Sequence, residues 1–319
     1  MPRLDGHRWV VTGANSGLGL SSVTALAAKG AEVVLACRDL SKGQAALETV
    51  RAAVPDARVE VRALDVSSLK SVEDFARELG PRPLDGLMNN AGVMAIPRRL
   101  SVDGFEMQLA TNHLGHFALT LRLLPVLELA RAPRLVVVAS TAHRGGRIAF
   151  DDLMGEKSYS VTGAYGQSKL ANLMFAYEAA RRFPKAGLKT RALAAHPGYS
   201  STGLLDLGSK GGSSFLGGFL KFGTFLAQPP EQGALPQLFA ATASEVENGA
   251  YYGPDGFLEF KGSPTRVGST KYSRDEAVAA RLWSVSEQLT GVTLASTVGG
   301  LTPLRPAPSG PAPARAPAP

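Results

Sequence analysis

Tyr165 and Lys169 stand four residues apart in a segment whose apolar spacing predicts a helix, so the phenol and the ammonium share one helical face. A tyrosine is a poor base at its free pKa of about 10. An ammonium about 4 Å away, in an effective dielectric near 20, interacts with a phenolate by roughly 4 kcal/mol, or about 3 pKa units at most. Such a phenol exchanges protons near neutrality. Tyrosine and lysine also reach this spacing by chance, so other residues must decide. Ser140 closes a predicted strand, and its hydroxyl can hold a substrate oxygen beside the tyrosine, since ligands bind at strand carboxyl ends. Asn112 lies inside a predicted helix, where asparagine competes for backbone hydrogen bonds and is there for some other reason.

Residues 12–19 read TGANSGLG, with Gly13, Gly17 and Gly19 between a valine-rich run and an amphipathic one. Glycine at a strand-to-helix turn permits positive φ and lets an anion approach the free N–H groups of the helix start. Gly13, Asn15, Ser16, Gly17, Leu18 and Gly19 are therefore candidates to cradle a diphosphate. The spacing GxxxGxG departs from the GxGxxG dinucleotide fingerprint, and turns of this kind also serve packing alone. About 20 residues further on, where NAD enzymes carry an acid for the ribose hydroxyls, the second strand ends at Cys37 and Arg38. A guanidinium there can pair with a 2′-phosphate that a carboxylate would repel; the alternative is a surface arginine with no ligand. Asp39 is assigned to the start of the following helix. Asn90, Ala91 and Gly92, just past a fourth strand, suit a tight turn beside a cofactor.

Positioning these groups requires a sheet wrapped by helices. Val- and Leu-rich runs without alternation predict strands at 8–12, 32–36, 58–63, 84–89, 134–139 and 189–195, buried on both faces. Helical periodicity falls at 17–29, 41–54, 68–79, 103–129 and 163–182, the second ended by Pro55 and the last by Pro184. The alternation predicts an α/β fold, a doubly wound parallel sheet forming a single domain over 1–301. After Pro197 and Gly198 the rhythm is lost over 199–228, which is expected to form a substrate lid faced by Phe215, Leu216, Phe219, Phe222 and Phe225; a fixed helix pair or a subunit contact is the alternative. A helix at 230–243, a strand at 251–257 and a helix at 274–289, capped by Ser273 and stopped by Gly291, complete the domain. The Pro- and Ala-rich residues 302–319 are expected to be disordered.

Composition narrows the class. Of 319 residues, 45% are hydrophobic and 19% charged, a globular balance that excludes collagen-like and wholly disordered chains. One cysteine, Cys37, excludes an intramolecular disulfide and a Cys-rich zinc site, and fits a reducing, cytoplasmic setting. The net charge of +7 comes from scattered residues, which suits a small anionic ligand better than nucleic acid. The N-terminus has no signal or anchor pattern, and the greasy stretch 215–227, interrupted by Lys221, is too short to span a bilayer. His113 and His116 lack a third ligand nearby, so packing is expected and no metal. His143 either touches substrate or fixes its loop, His196 orients the turn at Pro197, and Cys37 fills core space.

Taken in order, TGANSGLG at 12–19, LDV at 64–66, NNAG at 89–92, NHLGHF at 112–117, Ser140, YGQSK at 165–169 and HPG at 196–198 make the chain resemble a short-chain dehydrogenase/reductase from about His7 to Gly291. ACRD at 36–39, STAHRGG at 140–146 and SKLANLMF at 168–175 resemble its branch of retinol dehydrogenases, protochlorophyllide reductases and bacterial relatives. The resemblance implies a catalytic tetrad of Asn112, Ser140, Tyr165 and Lys169, with Lys169 also on the nicotinamide ribose and Asn112 maintaining a water-linked proton relay. It implies that Asp65 and Val66 flank the adenine, that Pro197 and Gly198 line the nicotinamide, and that a homodimer or homotetramer forms. Ala139 departs from the second serine common in relatives, and the missing N-terminal anchor counts against retinol itself as substrate. The expected function is hydride transfer between NADP(H) and a carbonyl or alcohol of a hydrophobic small molecule. A dinucleotide-binding redox sensor without turnover and a sugar-nucleotide epimerase or dehydratase are the rivals.

Overall fold

The computed structural model describes residues 1–198 and 229–299, so the expected lid and tail lie outside the described residues. One sheet contains β1 (Arg8–Thr12), β2 (Glu32–Cys37), β3 (Arg58–Ala63), β4 (Gly86–Asn89), β5 (Arg134–Val138), β6 (Arg191–Ala195), β7 (Tyr251–Pro254) and β8 (Pro264–Arg266). Their order is β3-β2-β1-β4-β5-β6-β7-β8. The first seven are mutually parallel, and β8 returns antiparallel to β7. Sequence periodicity missed β8, which is short and begins with a proline. It also ran β7 three residues too far: the chain leaves the strand where Asp255 accepts from the Ser263 N–H, and a 3₁₀ turn, Phe257–Glu259, follows.

β1, β2, β4, β5, β6 and β7 are buried on both faces because successive side chains enter opposite cores; β3, expected to be buried likewise, is an edge strand with only Val59 buried, and β8 at the other edge is half-exposed. In β1, Val10 joins Phe117, Leu121, Phe175 and Trp283 on one side, whereas Trp9 and Val11 join Leu26, Leu47 and Leu238 on the other. Each fully buried side chain of this kind contributes about 1.5–3 kcal/mol relative to exposure. The helices that cover these faces are α1 (Gly17–Ala27), α2 (Leu40–Ala53), α3 (Leu69–Glu78), α4 over 107–127, α5 (Val161–Lys185), α6 (Pro230–Gly233), α7 (Leu235–Thr242), α8 (Glu276–Thr290) and α9 (Leu294–Gly299).

Several helix boundaries differ from the sequence reading for identifiable reasons. The helix expected over 230–243 breaks at Ala234, since Pro236 has no N–H to give to the preceding turn. Pro184 lies inside the last turn of α5, whose end is closed by the Ala186 N–H on the Arg182 and Phe183 carbonyls. The cap of α8 is Asp275, which accepts from Ala277 and Val278; the hydroxyl of Ser273 is bound instead to Ser269 and the Thr270 carbonyl. Gly291 stops that helix at φ +68°, as expected.

The strand order reverses between β1 and β4, which opens a crevice at the carboxyl edge of the sheet. The loops after β1, β4, β5 and β6 all emerge there. They carry the glycine-rich turn, the NNAG turn, Ser140 and the Pro197–Gly198 turn.

Candidate active site

The glycine-rich turn follows directly from β1, and the Gly13 N–H bonds to the Ala36 carbonyl of β2. Gly13 has φ +63° and packs so closely that a Cβ would lie 2.9 Å from the Ala91 Cα. At Gly19 a Cβ would fall 2.3 Å from the Gly13 carbonyl oxygen. These two glycines therefore let the turn fold onto the start of α1 and onto the NNAG loop. Ser16 is the cap of α1 by position, but its side chain makes no capping bond. The opening N–H groups of the helix remain available for an anion.

The NNAG turn is tied to the same place by one hydroxyl. Thr12 Oγ1 accepts from the Asn90 and Ala91 N–H groups, both at 2.9 Å, and Asn90 Nδ2 donates to the Thr12 carbonyl at 2.8 Å. His116, which the sequence reading assigned to packing, completes this knot. Its Nδ1 lies 3.0 Å from the Asn112 carbonyl and must donate there, so Nε2 accepts from the Thr12 hydroxyl at 2.9 Å. Burial holds the imidazole down at about 4, with the Asn112 bond opposing and the Lys169 charge assisting. His113 is core packing as expected, wedged against Phe117 and Phe175 with Nε2 on Ser286 Oγ. Cys37 is buried too, and its sulfur accepts from the Ala14 and Asn15 N–H groups, while burial lifts the thiol to about 11.

Asn112 sits in a π-helical turn, Ala110–Leu114, that interrupts α4 between Met107–Leu109 and Gly115–Leu127. Such turns free a main-chain carbonyl from the regular ladder. The Asn112 side chain is fully committed: Nδ2 donates to the Val93 carbonyl and Ser168 Oγ, and Oδ1 accepts from the Val93 N–H at 2.8 Å. It brackets the loop after β4 to α5. Gly115 is required just beyond, since a Cβ there would overlap the Val66 carbonyl. That contact fixes Val66, and Asp65 is fixed by Ser67, whose N–H and hydroxyl both donate to its carboxylate.

Ser140 caps a short 3₁₀ turn, Thr141–Gly145, that follows β5. Two glycines bring it to Tyr165: a Cβ on Gly146 would sit 2.3 Å from the Gly166 carbonyl, and one on Gly166 would sit 3.2 Å from the Ala142 carbonyl. Backbone thus packs on backbone, and Tyr165 shares a hydrogen bond with the Ser140 hydroxyl. Lys169, one turn further along α5, is 5% exposed and donates to the Val138 carbonyl at 3.0 Å. Asn172 reaches the same carbonyl at 3.1 Å.

The electrostatics of the pair correct the sequence expectation. The Lys169 ammonium lies 5.8 Å from the Tyr165 ring centre, drawn toward β5, and does not pull the phenol down. Burial raises the Tyr165 phenol above its ordinary value, and the Ser140 hydrogen bond offsets part of this. Burial lowers Lys169 to about 8. Helical spacing fixes the face on which the two groups lie, but it does not fix the direction of a long lysine side chain.

At the β2 end of the crevice, Arg38 is exposed just beyond the strand. Asp39 is engaged as the α2 cap, accepting from the Ser41 and Lys42 N–H groups and from the Ser41 hydroxyl. At the other end, Gly198 has φ +71°, and a Cβ would strike the Phe260 carbonyl at 2.4 Å. His143 lies beneath Ser140, with Nδ1 on the Ser140 carbonyl at 2.7 Å and its ring edge-on to Tyr251; it fixes the loop. Sequence reasoning missed Thr12, Ser168 and the bridging role of His116. All three lie inside the motifs TGANSGLG, NHLGHF and YGQSK, but nothing in the spacing named the distant partners that give them their roles.

Among the described residues no helix is long and apolar enough to cross a membrane. A family model described as short chain dehydrogenase matches residues 8–209. The chain is 39% identical to retinol dehydrogenase 13 of Mus musculus over 92% of its length and 86% of the relative's. It is 38% identical to retinol dehydrogenase 11 of Homo sapiens, with 92% and 88% covered. The crystal structure of an uncharacterised protein from Mycobacterium paratuberculosis superposes with a TM-score of 0.76 at 42% identity, over 92% of this chain and 97% of that one. With a glycine-rich turn, a Ser-Tyr-Lys cluster and an Asn-bearing π-turn gathered at one sheet edge, the chain belongs to the short-chain dehydrogenase/reductase family, in its retinol dehydrogenase-like branch.

Proposed function

We propose that the protein is an NADP(H)-dependent oxidoreductase acting on a carbonyl or alcohol group of a hydrophobic small molecule. The observation that carries this reading is the meeting of Ser140 and Tyr165 across the Gly146–Gly166 contact, with the Lys169 ammonium one helical turn away. When bound, the dinucleotide supplies or accepts the hydride. The chain's own residues bind, orient and move the proton. The uncapped start of α1 and the bare Gly13–Gly19 turn fit a diphosphate. Lys169 makes one bond to the protein through Val138 and retains donor capacity toward a ribose hydroxyl. Asp65, Val66 and the Asn90–Gly92 turn would border the adenine half, and Pro197 and Gly198 the nicotinamide half.

Arg38 supports the choice of NADP(H). Its guanidinium is exposed at the ribose end, and the neighbouring carboxylate of Asp39 is turned into the α2 cap. Ser140 would hold the substrate oxygen, a role in which a well-placed donor contributes roughly 3 to 4 kcal/mol of transition-state stabilisation. A Tyr165 phenol that burial keeps protonated at neutral pH fits proton donation to a carbonyl oxygen, the reducing direction. Asn112 holds Val93 and Ser168 in register beneath it through its side chain, while its main-chain carbonyl takes the His116 Nδ1 proton. The resemblance to retinol dehydrogenases supports an apolar substrate, and a cytoplasmic homo-oligomer is the setting we infer.

NADPH consumption with a panel of ketones and aldehydes tests the assignment. Tyr165→Phe should abolish turnover on every substrate the parent accepts and leave NADPH affinity within a few-fold. Substantial activity in that variant would rule out Tyr165 as the acid.

A further inference from the structure

We propose that Glu259 is a positioning residue for the nicotinamide half of the cofactor, acting through an Arg144–Glu259–His196 clamp that sets the Pro197–Gly198 turn. This rests on reading the crevice as a dinucleotide site. A hydride can pass only if its carrier lies beside the carbon whose oxygen Ser140 and Tyr165 hold. The Pro197–Gly198 turn is next to Ser140, because β5 and β6 are neighbours with Val138 opposite Ala195. What fixes that turn therefore fixes the approach of the two reacting centres.

The bonds run in one chain across three loops. His196 Nδ1 accepts from the Gly198 N–H at 3.2 Å, so Nε2 bears the proton and lies 3.0 Å from Glu259 Oε2, a close imidazole–carboxylate contact that is out of line for a hydrogen bond. The other carboxylate oxygen accepts from Arg144 Nη2 at 2.7 Å. Arg144 lies in the turn opened by Ser140, His196 follows β6 directly, and Glu259 follows β7. The His196 side chain is wholly buried, and Glu259 is 22% exposed. The His196 imidazole beside it, helped by the Arg144 guanidinium, holds the Glu259 carboxyl below its ordinary range, against the opposing effect of burial.

Three separate features of the backbone make room for this clamp. Leu258 and Glu259 both take left-handed φ, +51° and +58°, which residues with a Cβ rarely adopt. Gly253 has no side chain where His196 lies, and a Cβ there would overlap the imidazole. Gly198, at φ +71°, rests directly on the Glu259 and Phe260 carbonyls, leaving no room for a Cβ. Strain in a loop, a missing side chain in β7 and a glycine in the turn all serve one arrangement. Packing alone would be satisfied by an apolar residue at 259, without an imidazole–carboxylate pair that costs desolvation.

The test compares the dinucleotide with a fragment lacking nicotinamide. Titration calorimetry on the full chain would measure NADPH, NADH and 2′-phospho-ADP-ribose binding to the parent, Glu259→Ala and Arg144→Leu. Glu259→Ala should weaken binding of the preferred dinucleotide at least tenfold and leave the fragment within twofold; Arg144→Leu, at a half-exposed position, should give a smaller loss of the same selectivity. Equal weakening of dinucleotide and fragment would mean that Glu259 merely holds the fold, and unchanged dinucleotide binding in both variants would overturn the clamp. If Glu259→Ala does not fold, Arg144→Leu decides alone on the same criterion. A parent that binds neither NADPH nor NADH would overturn the cofactor reading, and the clamp with it; where the parent binds them normally, a failure of the variants bears on Glu259 alone.

Discussion

Mild acid should destabilise this protein before most of its carboxylates titrate, because two histidines, His116 beside the site and His113 in the core behind it, are buried in the neutral form. Burial lowers His113 to about 3, with the neighbouring His116 adding to the effect, and lowers His116 to about 4. In the unfolded chain both return to about 6.5. Between those values the unfolded state holds more protons than the folded one, so the unfolding free energy falls as pH falls. Each histidine removes about 1.4 kcal/mol per pH unit below 6.5. At pH 5 that is about 2 kcal/mol apiece and about 4 together, a large share of a typical 5–15 kcal/mol total. His143, also lowered by burial, acts in the same direction.

Urea unfolding at half-unit steps from pH 7.5 to 5.0 measures this, followed by tryptophan fluorescence, since Trp283 packs against Phe117 in the same cluster. His113→Leu is the informative variant. The Ser286 hydroxyl donates to the Leu282 carbonyl and keeps that partner without the imidazole. The variant should lose about 1.4 kcal/mol per pH unit of the parent's slope. An unfolding free energy that is flat from pH 7.5 to 5.0, or a His113→Leu slope equal to the parent's, would refute the reasoning.

Arg38→Asp should invert the dinucleotide preference, because it replaces a phosphate partner with a ribose-hydroxyl acceptor; equal NADH and NADPH affinity in the parent, by calorimetry, would remove Arg38 from the site. Asn112→Ala should lower kcat by at least tenfold, since it leaves the Val93 N–H and carbonyl without their bracket at a cost of about 1–3 kcal/mol per unpaired group; steady-state kinetics with an unchanged kcat would contradict this. The ligand-free parent should gain stability as pH rises from about 8 to about 10.5, because Lys169 sheds its proton earlier when folded than when unfolded. Lys169→Met should abolish that rise, of about 2 kcal/mol between pH 8 and 10, in urea titrations at those two pH values.

The sheet was legible because its central strands are short, apolar and buried on both faces, and because glycines and prolines mark many of the connections; edge strand β3 showed in sequence as an apolar-rich run but is only half-buried. Asn112 was legible as an anomaly: an asparagine in a helix that the structure resolves as a π-turn. What escaped was decided by direction and by distant partners. Tyr165 and Lys169 do share a face, but the ammonium turns to a strand carbonyl that no local pattern names. The α8 cap fell on Asp275 because Ser273 had closer partners in the preceding turn. β8 contains only Pro264–Arg266, too few residues for a period to register.

His116 and Glu259 escaped for a related reason, and together they explain how a partly exposed serine and tyrosine are held still. Neither touches the crevice through a motif of its own. His116 joins the end of β1 to the π-turn, Asn112 joins that turn to the loop after β4 and to α5, and the Glu259 pair joins the loops after β5, β6 and β7. Each bridge spans 56 or more residues of sequence in at least one of its bonds, so only the folded sheet assembles it. A hydroxyl and a phenol that must present a proton to a small oxygen gain from such bracing, since donors already in place need no reorganisation when charge develops. His116, one of the two histidines that leave the protein sensitive to acid, is thus also one of the bridges that hold its reactive edge in place.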